Sequence, residues 1–461
     1  MMPEKQDGTA SAAALEVIAA WCASPHSFSA MARQSAKHAI ADTVACMLAG
    51  ASDRATLAVR AAFAREIGTR GAVGVAGGDR APAAIAALVN GTAAHALDFD
   101  DNFHGATTHA SAVLVPALLA IGERVGATGA ALIEAYLIGL EAQAAIGRGV
   151  NPSHYTAGWH STSTVGCIGT AAATAWLRGL DETGISAAMS IAASMASGIK
   201  GQFGTPVKPL HAGLAARNAV EAALLAGAGM TGSMDILESS QGFLTLYGGP
   251  DPRGWENLSF GPMSIIETVG LATKCYPCCG STHRAIDMVL DLKATHGFDA
   301  ADVAGIEVLV AIAHARNLAF PAPRDEAQAR FSMNYCLAVA LLQDRLTLGD
   351  FTPAAIRREE VRALLPLTRM STYTEAQERS IQGRLPHELT LRLRDGTELR
   401  ESRLAARGTL ALPLGAADRQ NKFLDCASGT LSLPTAHQLY NRIDQFEALG
   451  TVNLFQGVHW I

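Results

Sequence analysis

The sequence predicts a mainly α protein: a large all-helical domain, residues 1–271 together with 405–461, carrying a smaller inserted α+β lid domain, residues 272–404. Three observations point there. From about Ser11 to Gly232, apolar residues recur at helical spacing in segment after segment, divided by clusters of Gly, Pro, Asn or Asp. Near Leu271 the pattern changes to β-branched and alternating runs, and after Arg407 helical spacing returns. A chain of 461 residues is long enough for more than one core. A cleft between two such units is a natural place for a site.

Taken in order, Ala30–Gly50 carries helical spacing and stops at a glycine, and Pro82–Leu97 begins with proline where a first turn tolerates it. Val113–Ile121 is apolar almost all round, which predicts a buried helix. Ala130–Gly149, Ser163–Leu177, Ile185–Gly198 and Ala212–Gly229 continue the series, with no fixed repeat period. Ile306–Ile312 reads as a strand, and Phe331–Leu342 as a helix. Arg357–Leu365 and Thr374–Arg379 read as short helical pieces. Glu388–Arg394 alternates with period two and runs into Asp395-Gly396, which predicts a hairpin closed by a two-residue turn. Asn421–Ala427 and Thr435–Phe446 close the chain as helices. Ser281 and Thr282 are expected to cap a helix over Ala285–Leu292.

Composition narrows the function. The chain is 49% hydrophobic, only 17% charged and carries a net charge of −6, with no long Lys/Arg run, which argues against nucleic acid or an anionic membrane as partner. Glu4 and Asp7 spoil the start of a signal peptide and Glu16 interrupts its apolar stretch, so an amphipathic first helix is the better reading. Long apolar tracts are too short or too polar to span a bilayer, and a cytoplasmic protein is expected. Most of the eight cysteines stand alone in apolar helical contexts, as reduced core thiols do. Cys275-Tyr-Pro-Cys-Cys279 is the exception, a C-x-x-C pair without a second pair at finger or ferredoxin spacing.

Against that apolar background, His95-Ala-Leu-Asp-Phe-Asp-Asp101 concentrates three carboxylates and a histidine, and His104 and His109 come soon after. Buried unpaired charge is costly, so such a concentration reads as a polar site. A helical turn would set Asp98 and Asp101 on one face with His95. A general base, substrate-positioning groups, a metal set from Asp98, Asp101, His104 and His109, or simply an acidic helix end are all compatible with it. Lys208 and His211 open a predicted helix behind a Gly/Pro loop, an arrangement suited to anions. Lys274 to His283 opens the smaller domain, and a cap there would aim Thr282 and His283 outward. His160 begins a hydroxyl-rich helix start and taken singly reads equally well as structural, while Tyr335, in Phe331-Ser-Met-Asn-Tyr335, taken singly reads as core more readily than as catalytic.

Together these stretches resemble the MmgE/PrpD family. The resemblance rests on His95–Asp101, His109-Ala-Ser111, His160 before a glycine-containing helix, Lys208-Pro-Leu-His211, Lys274-x-Tyr-Pro-x-Cys-x-x-Thr-His283 and Phe331-Ser-x-x-Tyr335. They occur in order over nearly the whole chain, down to Lys422-Phe-x-x-Cys426. The resemblance implies a helical domain with an α+β lid, a homodimer, and chemistry on small di- and tricarboxylates without metal or cofactor. Family members include 2-methylcitrate dehydratases, cis-aconitate decarboxylases and iminodisuccinate epimerases. It further implies a catalytic set of His109, His160, Lys208, Lys274 and Tyr335, with Asp98, Asp101, Asn102, His211, Thr282 and His283 around the substrate. Two departures bear on the substrate. Asn102 stands where decarboxylase-like members carry Thr, and Ala110 replaces the usual Pro, with one residue inserted between Asp101 and His109.

All three activities move a proton, or exchange CO₂ for one, at the carbon α to a carboxylate. Two lysines would stabilise the developing enediolate while a histidine or lysine moves the proton. A dehydratase-type lyase is the leading expectation, with epimerase next and decarboxylase after it. A silent organic-acid binding protein, which would need the lysines but no acid/base set, is the non-enzyme alternative. A metal- or cluster-dependent hydratase using Cys275 and Cys278 is a third.

Overall fold

The computed structural model describes residues 13–68, 73–380 and 385–461. Its larger part is helical. Ala30–Gly50, Ala83–Ala96, Ala110–Val125, Gly129–Val150, Val165–Leu177, Glu182–Met195 and Val207–Ala226 pack side by side around one apolar cluster. Side-chain caps set several starts: Ser29 accepts from the amide of Ala32, Thr128 from Ala131 and Asp181 from Gly184. Gly126 ends the Ala110–Val125 helix at φ 67°, a left-handed position that glycine takes without a Cβ clash. The C-terminal helices Ala416–Ala427 and Leu433–Asp444 contribute Phe423, Leu439 and Ile443 to this same cluster.

One helix crossing positions two of the ionisable groups. Where Ala83–Ala96 meets Val207–Ala226, a Cβ on Gly213 would collide with Thr92 Oγ1 and the Leu88 carbonyl. Glycine therefore lets the two backbones touch, which brings Lys208, on the first turn of one helix, beside His95 on the last turn of the other. The Gly129–Val150 helix is long and apolar enough to cross a membrane, but 83% of its apolar window is buried among its neighbours, as in a core helix.

Two very short strands, β1 (Val73–Gly74) and β2 (Arg80–Ala81), pair beside the helical cluster. A second apolar cluster spans residues 276–399. Its sheet holds β3 (Val303–Val310), β4 (Thr368–Thr372), β5 (His387–Leu393) and β6 (Glu398–Arg403) in the order β4-β3-β5-β6. β4 runs parallel to β3; the other pairs are antiparallel. The helices Gly280–His296 and Met333–Leu342 add their apolar faces to it.

Local expectations fail in four places. β4 reads Thr-Arg-Met-Ser-Thr, too polar to show as a strand in sequence, and exists because β3 offers it a ladder. The hairpin loop holds three residues rather than two: the Leu393 amide donates to the Thr397 carbonyl, and Gly396 alone takes positive φ, at 91°. That is a turn followed by a glycine bulge. The Gly280–His296 helix starts from Cys279 with no side-chain cap, so Ser281 and Thr282 lie inside its first turn rather than ahead of it. Finally, the helix before the acidic stretch stops at Ala96, and Asp98 takes φ 51°. Residues 97–103 form an irregular loop, not the helical face that spacing predicts for Asp98 and Asp101.

Candidate active site

A cavity of about 290 Å³ lies between the helical cluster and the sheet-bearing part. Asp98, Asn102, His109, His160, Lys208, Lys274 and His283 all line it. Three links hold its parts in place. The Asn102 amide donates to the Ala272 carbonyl at 3.0 Å and the Ala272 amide returns a bond at 2.8 Å, joining the acidic loop to the segment that carries Lys274. Lys422 Nζ donates to the carbonyls of Phe99 and Lys274, at 2.8 and 2.9 Å, and pairs with Asp42 at 2.7 Å. The His109 amide donates to Thr162 Oγ1 at 3.0 Å.

Asp98 is the electrostatic hinge of the site. One carboxylate oxygen accepts from Lys208 Nζ, the other from Lys274 Nζ at 2.9 Å, and Lys274 also donates to the Asp98 carbonyl at 2.7 Å. Burial alone would raise this carboxyl; Lys208 and Lys274 overcome it and hold the group well below the usual carboxylate range. With Asp100 close behind Asp98, two carboxylates balance the two ammonium groups in formal charge, but the lysines line the cavity and Asp100 does not, so the cations are what an entering anion meets. Phe203 and Phe331 cover Lys208, their centroids 5.3 and 5.1 Å from its Nζ.

The histidine tautomers are set by the same contacts. Lys208 Nζ lies 2.9 Å from His95 Nε2, and an ammonium can only donate, so His95 Nε2 accepts and its proton sits on Nδ1. That Nδ1 lies 3.0 and 2.9 Å from the two oxygens of Asp100. His109 Nδ1 stands 3.1 Å from Asp100 Oδ2 on the other side. One buried carboxylate thus orients His95 and lies at ion-pair distance from His109, whose Nδ1 makes no hydrogen bond among the described residues; a proton drawn to that Nδ1 by the Asp100 charge would leave the Nε2 lone pair free for chemistry. Burial lowers His95 to about 4 and lowers His109 too, against the pull of Asp100, so both are neutral at pH 7. His160 Nδ1 meets His211 Nδ1 at 3.1 Å, and His160 Nε2 has no hydrogen-bond partner among the described residues. Burial, then Lys208, pushes His160 well below its ordinary value.

Four expected residues fall elsewhere. Tyr335 is fully buried within the sheet-side cluster, and its hydroxyl donates to the Asp350 carbonyl rather than to the cavity. Helical spacing from Ser332, which caps that helix by accepting from the Tyr335 amide, turns the ring inward. Asp101 accepts from Ser111 Oγ and, at 3.4 Å, from the Ser111 amide, fastening the start of the Ala110–Val125 helix; burial pushes its carboxyl up to about 7. Thr282 donates to the Cys279 carbonyl at 2.8 Å. His211 reaches the site only through His160. Conversely, Asp100 and Lys422 escape sequence reasoning. Asp100 lies in the conspicuous stretch, but a helical turn does not single it out. Lys422 lies in a C-terminal motif with nothing to show that it touches a loop more than three hundred residues away.

Among the described residues, the metal-like grouping is His95, Asp98, Asp100 and His109, whose ligand atoms lie within 4.8 Å of one another. The Asp98 and His95 atoms of this group are already engaged: both oxygens of Asp98 hold lysines, and His95 is satisfied on both nitrogens. Lysine ammonium groups thus take the places on Asp98 that a metal ion would need. All eight cysteines are free thiols, and Cys278 Sγ contacts Thr282 Oγ1 at 3.1 Å.

Residues 16–256 match the MmgE/PrpD N-terminal domain and residues 276–444 the MmgE/PrpD C-terminal domain. The chain belongs to the MmgE/PrpD family. Its relatives include the cis-aconitate decarboxylases of Mus musculus, 30% identical over 386 residues covering 80% of this chain and 77% of the relative, and of Homo sapiens, 30% identical with 80% and 78% covered. The Aspergillus terreus cis-aconitate decarboxylase is 28% identical, with 80% and 79% covered. The family is enzymatic, and this member is an enzyme of lyase or isomerase class.

Proposed function

We propose that this enzyme abstracts a proton from the carbon α to a carboxylate of a small di- or tricarboxylate, and that its reaction is a dehydratase-type elimination. The observation that carries the reading is the Asp100–His109 pair beside the Asp98–Lys208–Lys274 cluster. A neutral imidazole oriented by a buried carboxylate is a proton acceptor at neutral pH. Lys208 and Lys274, which line the cavity, hold the substrate carboxylate and stabilise the enediolate as it forms. His109 Nε2 takes the α-proton, the bond to the β-hydroxyl breaks, and the new imidazolium returns its proton to the departing oxygen as water. The protonated His109 is the strongest acid at hand, since Lys274 is held above its ordinary value by Asp98 and Asp100, whose charges outweigh its burial. In this scheme the 276–399 cluster acts as the lid that excludes water from the enediolate.

Decarboxylation is the second reading, favoured by the names of the relatives. It differs in what it asks of His109, because loss of CO₂ leaves a carbanion that must receive a proton. The pH dependence of the rate therefore separates the two. Elimination requires neutral His109, whose depressed value predicts a rate that holds as pH falls through the ordinary imidazole range and is lost only at more acid pH. Decarboxylation predicts a rate that rises as pH falls over the same window. Rates on citrate, 2-methylcitrate and cis-aconitate, followed by alkene absorbance and CO₂ release, give the answer. Acid activation with CO₂ release and no elimination would overturn the dehydratase reading.

A further inference from the structure

We propose that a second cavity, on the far side of the Asp98–Lys208 pair, is a binding site for a small oxyanion, a carboxylate or a phosphate, anchored by Arg330. The cavity has a volume of about 430 Å³, and Asp98, Lys208 and Phe331 form a wall shared with the first. Arg330 also lines it. Its side chain is almost wholly buried, at 7% exposure, yet its Nε has no hydrogen-bond partner and no carboxylate pairs with its guanidinium among the described residues. The Phe351 ring lies against the guanidinium, 5.8 Å from Cζ to centroid.

A buried guanidinium with no carboxylate in contact is costly, and an anion beside it would offset that cost. Its planar fork matches the two oxygens of a carboxylate or phosphate. The distribution of charge agrees. The buried floor holds Arg330 and Lys208 as cations, and the one buried carboxylate there among the described residues, Asp98, is already engaged by two lysines. The remaining acids lie outward: Asp425 is exposed, and Asp53 and Glu326 are half-buried. Asp53, Asp98 and Glu326 act on Arg330 only from beyond ion-pair distance, and an anion on the floor would give it a counter-charge in contact. Because Lys208 and Asp98 face both cavities, occupancy of the second would alter affinity in the first, and reciprocally.

The test is titration calorimetry of the full chain with two probes, succinate and inorganic phosphate, against wild type, Lys274→Met, Arg330→Gln and Arg330→Lys. Lys274 lines only the first cavity, so Lys274→Met should retain one anion site per chain. Arg330→Gln should lose that site for whichever probe fills it, a weakening of at least about tenfold. If Arg330→Gln does not fold, as read by circular dichroism, Arg330→Lys decides: it keeps the charge but loses the fork, and should bind several-fold more weakly. Phosphate binding alone, or succinate binding as well, identifies which oxyanion the floor prefers. Lys274→Met binding neither probe, or both Arg330 variants binding as wild type, would overturn the proposal. The catalytic reading is independent, since its failure would leave the Arg330-dependent site intact.

Discussion

Replacing Asp100 by Asn tests the catalytic geometry with almost no change in volume. Asp100 accepts from His95 Nδ1 and stands 3.1 Å from His109 Nδ1. An amide offers one acceptor and one donor end. Lys208 locks His95 in its Nδ1–H form, so the amide oxygen must serve His95. The NH₂ then faces His109 Nδ1 and forces the proton onto Nε2, the position where the lone pair is needed. The substitution also removes the negative charge that stabilises the imidazolium. At an effective dielectric of about 20, a charge pair roughly 3 Å apart is worth about 5 kcal/mol. Each ~1.36 kcal/mol is tenfold in rate, so kcat should fall by about three to four powers of ten. Steady-state kinetics with matched circular dichroism would measure it, alongside His109→Gln and the double variant. The double variant should be little slower than either single one, because the two residues act as a unit. A loss below tenfold in Asp100→Asn, or full multiplication of the two single effects, would refute the reasoning.

The same contacts have other consequences. Tyr335→Phe should keep kcat within about twofold while lowering stability by about 1 kcal/mol in urea denaturation, because the Asp350 carbonyl loses its donor; a large kcat loss would restore Tyr335 to the site. Lys422→Met should cost about 3–5 kcal/mol by leaving Asp42 as an unpaired buried carboxylate and releasing the carbonyls of Phe99 and Lys274; an unchanged denaturation midpoint would show that the link carries no load. Gly213→Val should destabilise by about 1–3 kcal/mol or more and separate Lys208 from His95, since even a Cβ there would collide with Thr92 Oγ1. Thermal stability should fall as pH drops from about 6.5 towards 4. Burial lowers His95, His154 and His211 each to about 4, so the unfolded chain takes up protons there that the folded chain refuses. His38, His109 and His160, also lowered by burial, add to this loss, while Asp101, pushed up to about 7, and Asp42, Glu123, Glu141 and Glu238, raised by burial, oppose it; six histidines against five carboxyls leave the loss the larger. A melting temperature that rises on acidification would contradict that balance.

Much of this architecture is legible in the sequence because its signals are local. Helices with apolar faces and glycine stops, the alternating β5–β6 hairpin and the ionisable clusters each announce themselves within a dozen residues. The cavity residues Asp98, His109, His160, Lys208 and Lys274 stand out because polar groups in an apolar chain demand a reason. What sequence reasoning misses depends on backbone direction or on distant partners. The left-handed turn at Asp98 cannot be inferred from spacing that fits a helix equally well, so helical spacing aims Asp101 at the cavity and passes over Asp100. Tyr335 falls in a motif that runs next to the site, but its own turn of helix faces the core. β4 is a strand only because β3 lies beside it, and the reach of Lys422 to Phe99 depends on tertiary packing alone.

The central claim is that His109 removes a proton from the carbon next to a substrate carboxylate. Proton NMR in D₂O, with wild type and His109→Gln incubated in parallel with citrate, 2-methylcitrate, malate, iminodisuccinate and cis-aconitate, tests it most directly. The account predicts vinyl signals, with deuterium entering the α-position, from a hydroxylated member of the panel in the presence of wild type, and neither with His109→Gln. Equal turnover by both proteins, or CO₂ loss from cis-aconitate with no α-proton exchange on any other member, would contradict it.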